Sequence, residues 1–204
     1  KDGVGYVQLG ADIDMSDVVL DNKTYVIKKL TGKFDGKGYA ISNLTLAGGT
    51  GTSTWQGTTY VNTGLIGELA GTIKNIRVEI KDITDINKVN TVGVLAGQIS
   101  EGSTATIDNC IASGKMSCST GDGNTLIGGL VGMITGSKDK CTTITVDNCI
   151  SNVAISGASS TYYGGIIGSA QYYSNVNISN SSILGNISGS GNAGGVVGYI
   201  NSGS

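Results

Sequence analysis

The chain has 204 residues, a formal net charge of −2 and 14% charged residues, so it can build one sizeable core or two small ones but carries no electrostatic footprint for nucleic acid or acidic membranes. It contains 34 Gly, 4 Cys and neither Pro nor His, which excludes Ser-His-Asp and Cys-His constellations. No apolar run approaches the roughly 20 residues needed to span a bilayer.

Residues 1–33 contain YVQLGADIDMS, Tyr6 to Ser16, which reads as a lead-in coil. From residue 34 onward two motifs alternate. The first is apolar-x-Asn, ending at Asn43, Asn75, Asn109, Asn148 and Asn180, with spacings of 32, 34, 39 and 32. The second begins with glycine, at Gly64, Gly93, Gly129, Gly165 and Gly195, spaced 29, 36, 36 and 30. Each of five units holds one copy of each motif. Apolar residues alternate around the asparagines, as in Ile73, Ile76, Val78 and Ile80, and no segment keeps a helical apolar period. Short strands separated by Gly, Asn and Ser turns result. One such unit cannot bury its own apolar face, whereas stacked units bury a continuous core. The expected fold is all-β: a right-handed parallel β-helix, or β-solenoid, of about six coils, forming a single domain over 1–204. The hand follows from the general preference of parallel crossovers.

Stacking gives the repeated residues structural work. Asparagines at equivalent positions lie about 4.8 Å apart and can form an amide ladder, expected to be buried. A corner glycine accepts positive φ. The small residues Gly67, Ala96, Gly132, Gly168 and Gly198 keep one column free of bulk. The segment FDGKGYAISNLTL, Phe34 to Leu46, followed by TGLIGELAGTIKNI, resembles the GLUG-motif family of bacterial surface proteins, and the lead-in is similar to theirs. The family often has an aromatic third residue in Gly-Leu-x-Gly; Ile66, Leu95, Val131, Ile167 and Val197 stand there in this chain. The resemblance implies a secreted, surface-attached β-helical repeat protein, often one segment of a long adhesin-like chain.

Among the four cysteines, Cys110 and Cys149 each follow a ladder asparagine, so they should share an inward column within disulfide reach. Cys118 and Cys141 would then form a second, nested pair. Sequons at Asn22, Asn177 and Asn186 are candidate glycosylation sites; those at Asn43 and Asn180 are disfavoured by their expected burial. Aromatic residues cluster in inter-motif loops: Trp55 with Tyr60, and Tyr162–Tyr163 with Tyr172–Tyr173. Such faces stack on sugar rings. The single Arg, Arg77, and carboxylate pairs that do not recur from unit to unit argue against an enzyme. The tetrapeptide GDGN at 121–124 is half a calcium loop without its remaining ligands. No catalytic, cofactor-binding or metal residue is assigned.

The functional expectation is therefore an extracellular or cell-surface structural protein, a stalk, fibre or adhesin segment. It would assemble end to end into filaments or continue in a longer chain, with no nucleic acid or inserted membrane as partner. The competing expectation is a carbohydrate-binding module using the loop aromatics.

Overall fold

A computed structural model describes residues 5–18, 23–47, 53–55, 58–84, 90–118, 125–157 and 161–201. Every regular element in them is a β-strand. The lead-in carries β1 (Tyr6–Gln8) and β2 (Ile13–Asp14). An incomplete coil follows, with β3 (Tyr25–Leu30), β4 (Lys33–Asp35) and β5 (Ala40–Ala47). After a hairpin strand, β6 (Ser53–Trp55), the first complete coil has β7 (Thr58–Leu69) and β8 (Thr72–Thr84). The second has β9 (Asn90–Gly93), β10 (Ala96–Ile99) and β11 (Thr104–Cys118). The third has β12 (Thr125–Gly128), β13 (Val131–Thr135), β14 (Thr142–Asp147) and β15 (Ile150–Gly157). The fourth has β16 (Thr161–Gly164), β17 (Ile167–Gln171), β18 (Ser174–Ser179), β19 (Ser182–Ile183) and β20 (Ile187–Gly189). A partial coil ends with β21 (Asn192–Gly194) and β22 (Val197–Asn201).

These strands form two 11-stranded sheets. The first sheet runs β1-β4-β8-β11-β14-β18, with β2, β5, β15, β19 and β20 continuing it past a corner; the second runs β21-β16-β12-β9-β7-β10-β13-β17-β22. The second sheet is itself bent, because β9 pairs with residues 61–63 of β7 while β10 pairs with residues 66–69. Strands from successive coils pair in parallel; the hairpin of β6 on β7 is antiparallel. This is a β-solenoid, as expected. Complete coils number four, however, not six, since the lead-in and the last segment each supply only part of a turn.

The core follows from alternation. In β14, Thr142, Ile144 and Val146 are buried and their neighbours half-buried. In-register pairing turns these into columns, such as Phe34–Ile73–Ile107–Val146. Each buried Leu or Ile contributes about 1.5–3 kcal/mol relative to exposure. Both members of the pairs Leu65–Ile66, Val94–Leu95, Leu130–Val131 and Ile166–Ile167 are buried, because the chain turns between them and alternation is suspended.

The two repeated motifs exchange their expected backbone roles. Asn43, Asn75, Asn109, Asn148 and Asn180 have φ of 58°, 53°, 50°, 53° and 47°. They are the left-handed corners, tolerated by Asn more readily than by other side-chain-bearing residues. The motif-opening glycines serve close approach instead: a Cβ on Gly129 would lie 2.2 Å from the carbonyl oxygen of Gly165, and one on Gly165 would lie 2.2 Å from that of Gly195. The column expected to be free of bulk is likewise tight, a Cβ on Gly132 lying 2.5 Å from the amide nitrogen of Val92 and from the carbonyl oxygen of Gly97. The free column is Gly67, Gly97, Gly132, Gly168 and Gly198, since Ala96 pairs with Ile66 and Val131. Ala96 is thus one residue out of that column.

Candidate functional site

Three groupings of polar and reactive side chains lie on this frame. The first is an outer column beside the asparagine corner. Asp35, Lys74, Asp108, Asp147 and Ser179 are in register on successive coils. Asn75 Nδ2 donates to Asp35 Oδ1 at 3.0 Å, and Asn109 Nδ2 donates to Asn75 Oδ1 at 2.8 Å. Asn148 Nδ2 donates to Asp147 Oδ2 at 2.9 Å, and Asn180 Nδ2 to Asp147 Oδ1 at 2.9 Å. The ribbon therefore mixes amide and carboxylate acceptors rather than repeating one amide bond. Asn109, Asn148 and Asn180 are exposed and Asn43 and Asn75 half-buried, not buried. An exposed Asn180 removes the burial argument against its sequon.

Asn43 also leaves the column. Asp35 pairs with Lys74 and Ala40 with Arg77, so the turn at residues 36–39 faces Asn75, and Lys37 supplies the left-handed residue at φ 55°. Asn43 sits at a bulge further along β5 and donates to Asp14 Oδ1 at 2.8 Å.

Asp35 is the most heavily bonded carboxylate described. Besides Asn75 it accepts from the Lys37 amide and from the Tyr6 hydroxyl, and Lys74 Nζ lies 3.3 Å away. The Asn75 amide, then the Lys37 amide and Lys74, hold its carboxyl far below the usual carboxylate range against the opposing effect of desolvation. The Ser179 hydroxyl and Asn180 amide lower Asp147 in the same way.

The second grouping is the cysteines. Cys110 and Cys149 are buried, inward and stacked, as the pairing of Asp108 with Asp147 and Ile111 with Ile150 requires. No disulfide joins any of the four cysteines, nevertheless. In-register parallel stacking holds side chains near the coil spacing of about 4.8 Å, whereas bridged Cβ atoms sit about 3.5–4.5 Å apart. The contact with Cys149, together with burial, pushes the Cys110 thiol up. The expected Cys118–Cys141 pair fails outright. Cys118 ends β11, beside Gly157, while Cys141 precedes Thr142 at the strand start that stacks on the opposite end of β11.

The third is aromatic. Tyr163 is fully buried and belongs to the core, so it is not a ligand contact. Tyr162 is half-buried, its ring centroid 4.5 Å from that of Tyr199. Tyr172 and Tyr173 turn the chain between β17 and β18 with φ of 24° and 49°. They line a cavity of about 680 Å³ with Val176, Ile178, Val197 and Ile200. This cavity lies against the last described coil, and it places Tyr172 and Tyr173, expected as ligand contacts, beside apolar side chains that sequence spacing alone did not bring together. Trp55 and Tyr60 fall on the β6–β7 hairpin, where their side chains lie outside the described residues, as do Asn22 and residues 121–124. Asn177 and Asn186 are exposed.

No family model matches the chain, and no curated protein matches it. Among solved structures it is similar to one described as "a putative immunoglobulin A1 protease from Bacteroides ovatus", at 21% identity and a TM-score of 0.58, over 97% of this chain and 67% of that chain. Identity this low establishes a shared fold alone. It also corrects the expectation that the chain is not an enzyme. That exclusion rested on the missing His and the unrepeated carboxylates, and a protein sharing this fold is described as a protease.

Proposed function

We propose that the protein is an extracellular or cell-surface structural segment, a stalk or adhesin shaft of the GLUG-motif kind. The observation that carries this reading is the unbroken inward column Leu30–Leu69–Ile99–Ile134–Ala170, buried at every coil. Parallel strands add about 4.8 Å of length per coil, so the repeated unit extends a stiff rod while each coil contacts only its neighbours. The exposed sequons at Asn177, Asn180 and Asn186 fit an outward, modifiable surface. The shared fold over most of the chain is compatible with this role. The test is labelling of intact producing cells with a membrane-impermeant amine reagent. The lysine-bearing coils should be modified on the cells or in their medium. Label confined to lysed cells would refute the surface role.

Carbohydrate recognition is a second reading, favoured by the exposed Tyr173 beside Tyr172 at the terminal cavity. Glycan-array binding that disappears in Tyr173→Ala would support it; an array without any bound glycan would remove it.

A further inference from the structure

Cys110 and Cys149 take no part in the structural-shaft reading, yet stacking makes them neighbours. They occupy one inward column, between Ile76 on the coil before and Ser181 on the coil after. Both are buried, and so are Ile107, Ala112 and Val146, the inward residues beside them on the same strands. The two thiols face each other, Cys110 donating to the Cys149 sulfur. Each sulfur also meets a peptide carbonyl: Cys110 Sγ lies 3.2 Å from the Asp108 oxygen, and Cys149 Sγ 3.0 Å from that of Asp147. No C-x-x-C spacing marks the pair in the sequence, because coil stacking and not chain proximity brings it together.

We propose that Cys110 and Cys149 form a two-sulfur binding site for a copper(I) ion, which ties two successive coils together from inside the core. Geometry favours a bridging ion over a direct bond. The coil spacing of about 4.8 Å is long for bridged Cβ atoms. Two metal–thiolate bonds of about 2.3 Å each, the length zinc shows, reach about 4.6 Å when placed in line. A small rotation of the facing side chains opens the sulfurs to that separation while the backbone register is kept. Ligand count then selects the ion. Thiolates favour copper(I), zinc and iron–sulfur clusters. A structural zinc takes four ligands, and an iron–sulfur cluster four cysteines. Among the described residues no group of three or more Cys, Asp or Glu is placed to hold a metal. Copper(I) is satisfied by two sulfurs in line. On binding, two S–H bonds break, two Cu–S bonds form and two protons leave; the ion arrives already reduced and no electron moves. Both sulfurs are buried, so the ion enters while the coils are open, and its binding is linked to folding.

The experiment is refolding of the full chain from urea without oxygen, with one equivalent of copper(I) kept reduced by ascorbate. Bathocuproine then removes loosely held ion before metal analysis. The wild type should retain one copper per chain, show two sulfurs and no other ligand by X-ray absorption, and unfold at a higher urea midpoint than the copper-free protein. Loss of partners beyond the ligands already weakens metal sites by about 10–100-fold, so Cys110→Ser and Cys149→Ser should each weaken retention by roughly 100-fold or more. Ser181 already stands in this column, so serine is accommodated there. Circular dichroism and urea midpoints of the copper-free variants check their folding, with Cys110→Ala and Cys149→Ala as the second pair. Cys141→Ser removes the exposed thiol and should bind as the wild type does. A wild type that emerges without copper, retention unchanged in both Cys110 and Cys149 variants, or a shell of three or more ligands overturns the proposal.

Discussion

At the scale of single residues, the asparagine repeat is explained by backbone conformation before hydrogen bonding. Asn109 combines φ of 50° with one amide bond to Asn75 on an exposed edge. A side chain in the left-handed region costs roughly 1–2 kcal/mol, which glycine escapes. Asn109→Ala should therefore lower the urea midpoint by an amount corresponding to about 1–2 kcal/mol, and Asn109→Gly by clearly less. Equal losses in the two variants would assign the stability to the amide bond instead. The carboxylates of the same ribbon make stability depend on pH. Asp35 is lowered in the folded chain by Asn75, Lys37 and Lys74, so its contribution is present above the unfolded value of about 3.9. It fades as pH falls below that value toward the folded one. Urea midpoints should hold from neutral to about pH 4 and then decline, with a shallower decline in Asp35→Asn. Identical acid profiles for the two proteins would remove Asp35 from the account.

Strands and corners show where sequence reading succeeded and where physics hid the answer. The alternation of Ile73, Ile76, Val78 and Ile80 gave the inward face correctly, because burial at period two is written directly in residue type. Asn43 looked identical to the other ladder residues, but the turn at residues 36–39 shifts the register before it, and short insertions leave no compositional mark. Tyr163 resembled a loop aromatic; β16 turns it inward to 0% exposure. The motif-opening glycines were read as conformational residues, and only the column through Gly132 as close-packed, because glycine's two uses, positive φ and close backbone approach, share one letter. The difference is measurable. Gly132→Ala drives a methyl to 2.5 Å from the Val92 amide nitrogen, an overpacking that costs about 1–3 kcal/mol. Gly195→Ala meets nothing within 4 Å and should leave the urea midpoint unchanged. A harmless Gly132→Ala would mean that the two walls of the second sheet are not in backbone contact.

On the scale of the whole molecule, four complete coils share one core, whose column Leu30–Leu69–Ile99–Ile134–Ala170 is buried at every coil. Stiffness and extension both descend from one property, in-register parallel stacking. It is tested most directly by nuclear Overhauser contacts along the column Arg77–Ile111–Ile150, whose members sit on three successive coils. Parallel pairing keeps facing Hα atoms about a full strand spacing apart, near 4.8 Å, whereas antiparallel non-hydrogen-bonded pairs bring them together. Ile111 should show backbone amide contacts to the segments around both Arg77 and Ile150, without strong Hα–Hα cross-peaks. Strong Hα–Hα cross-peaks at these positions, or amide contacts to other partners, would contradict the solenoid.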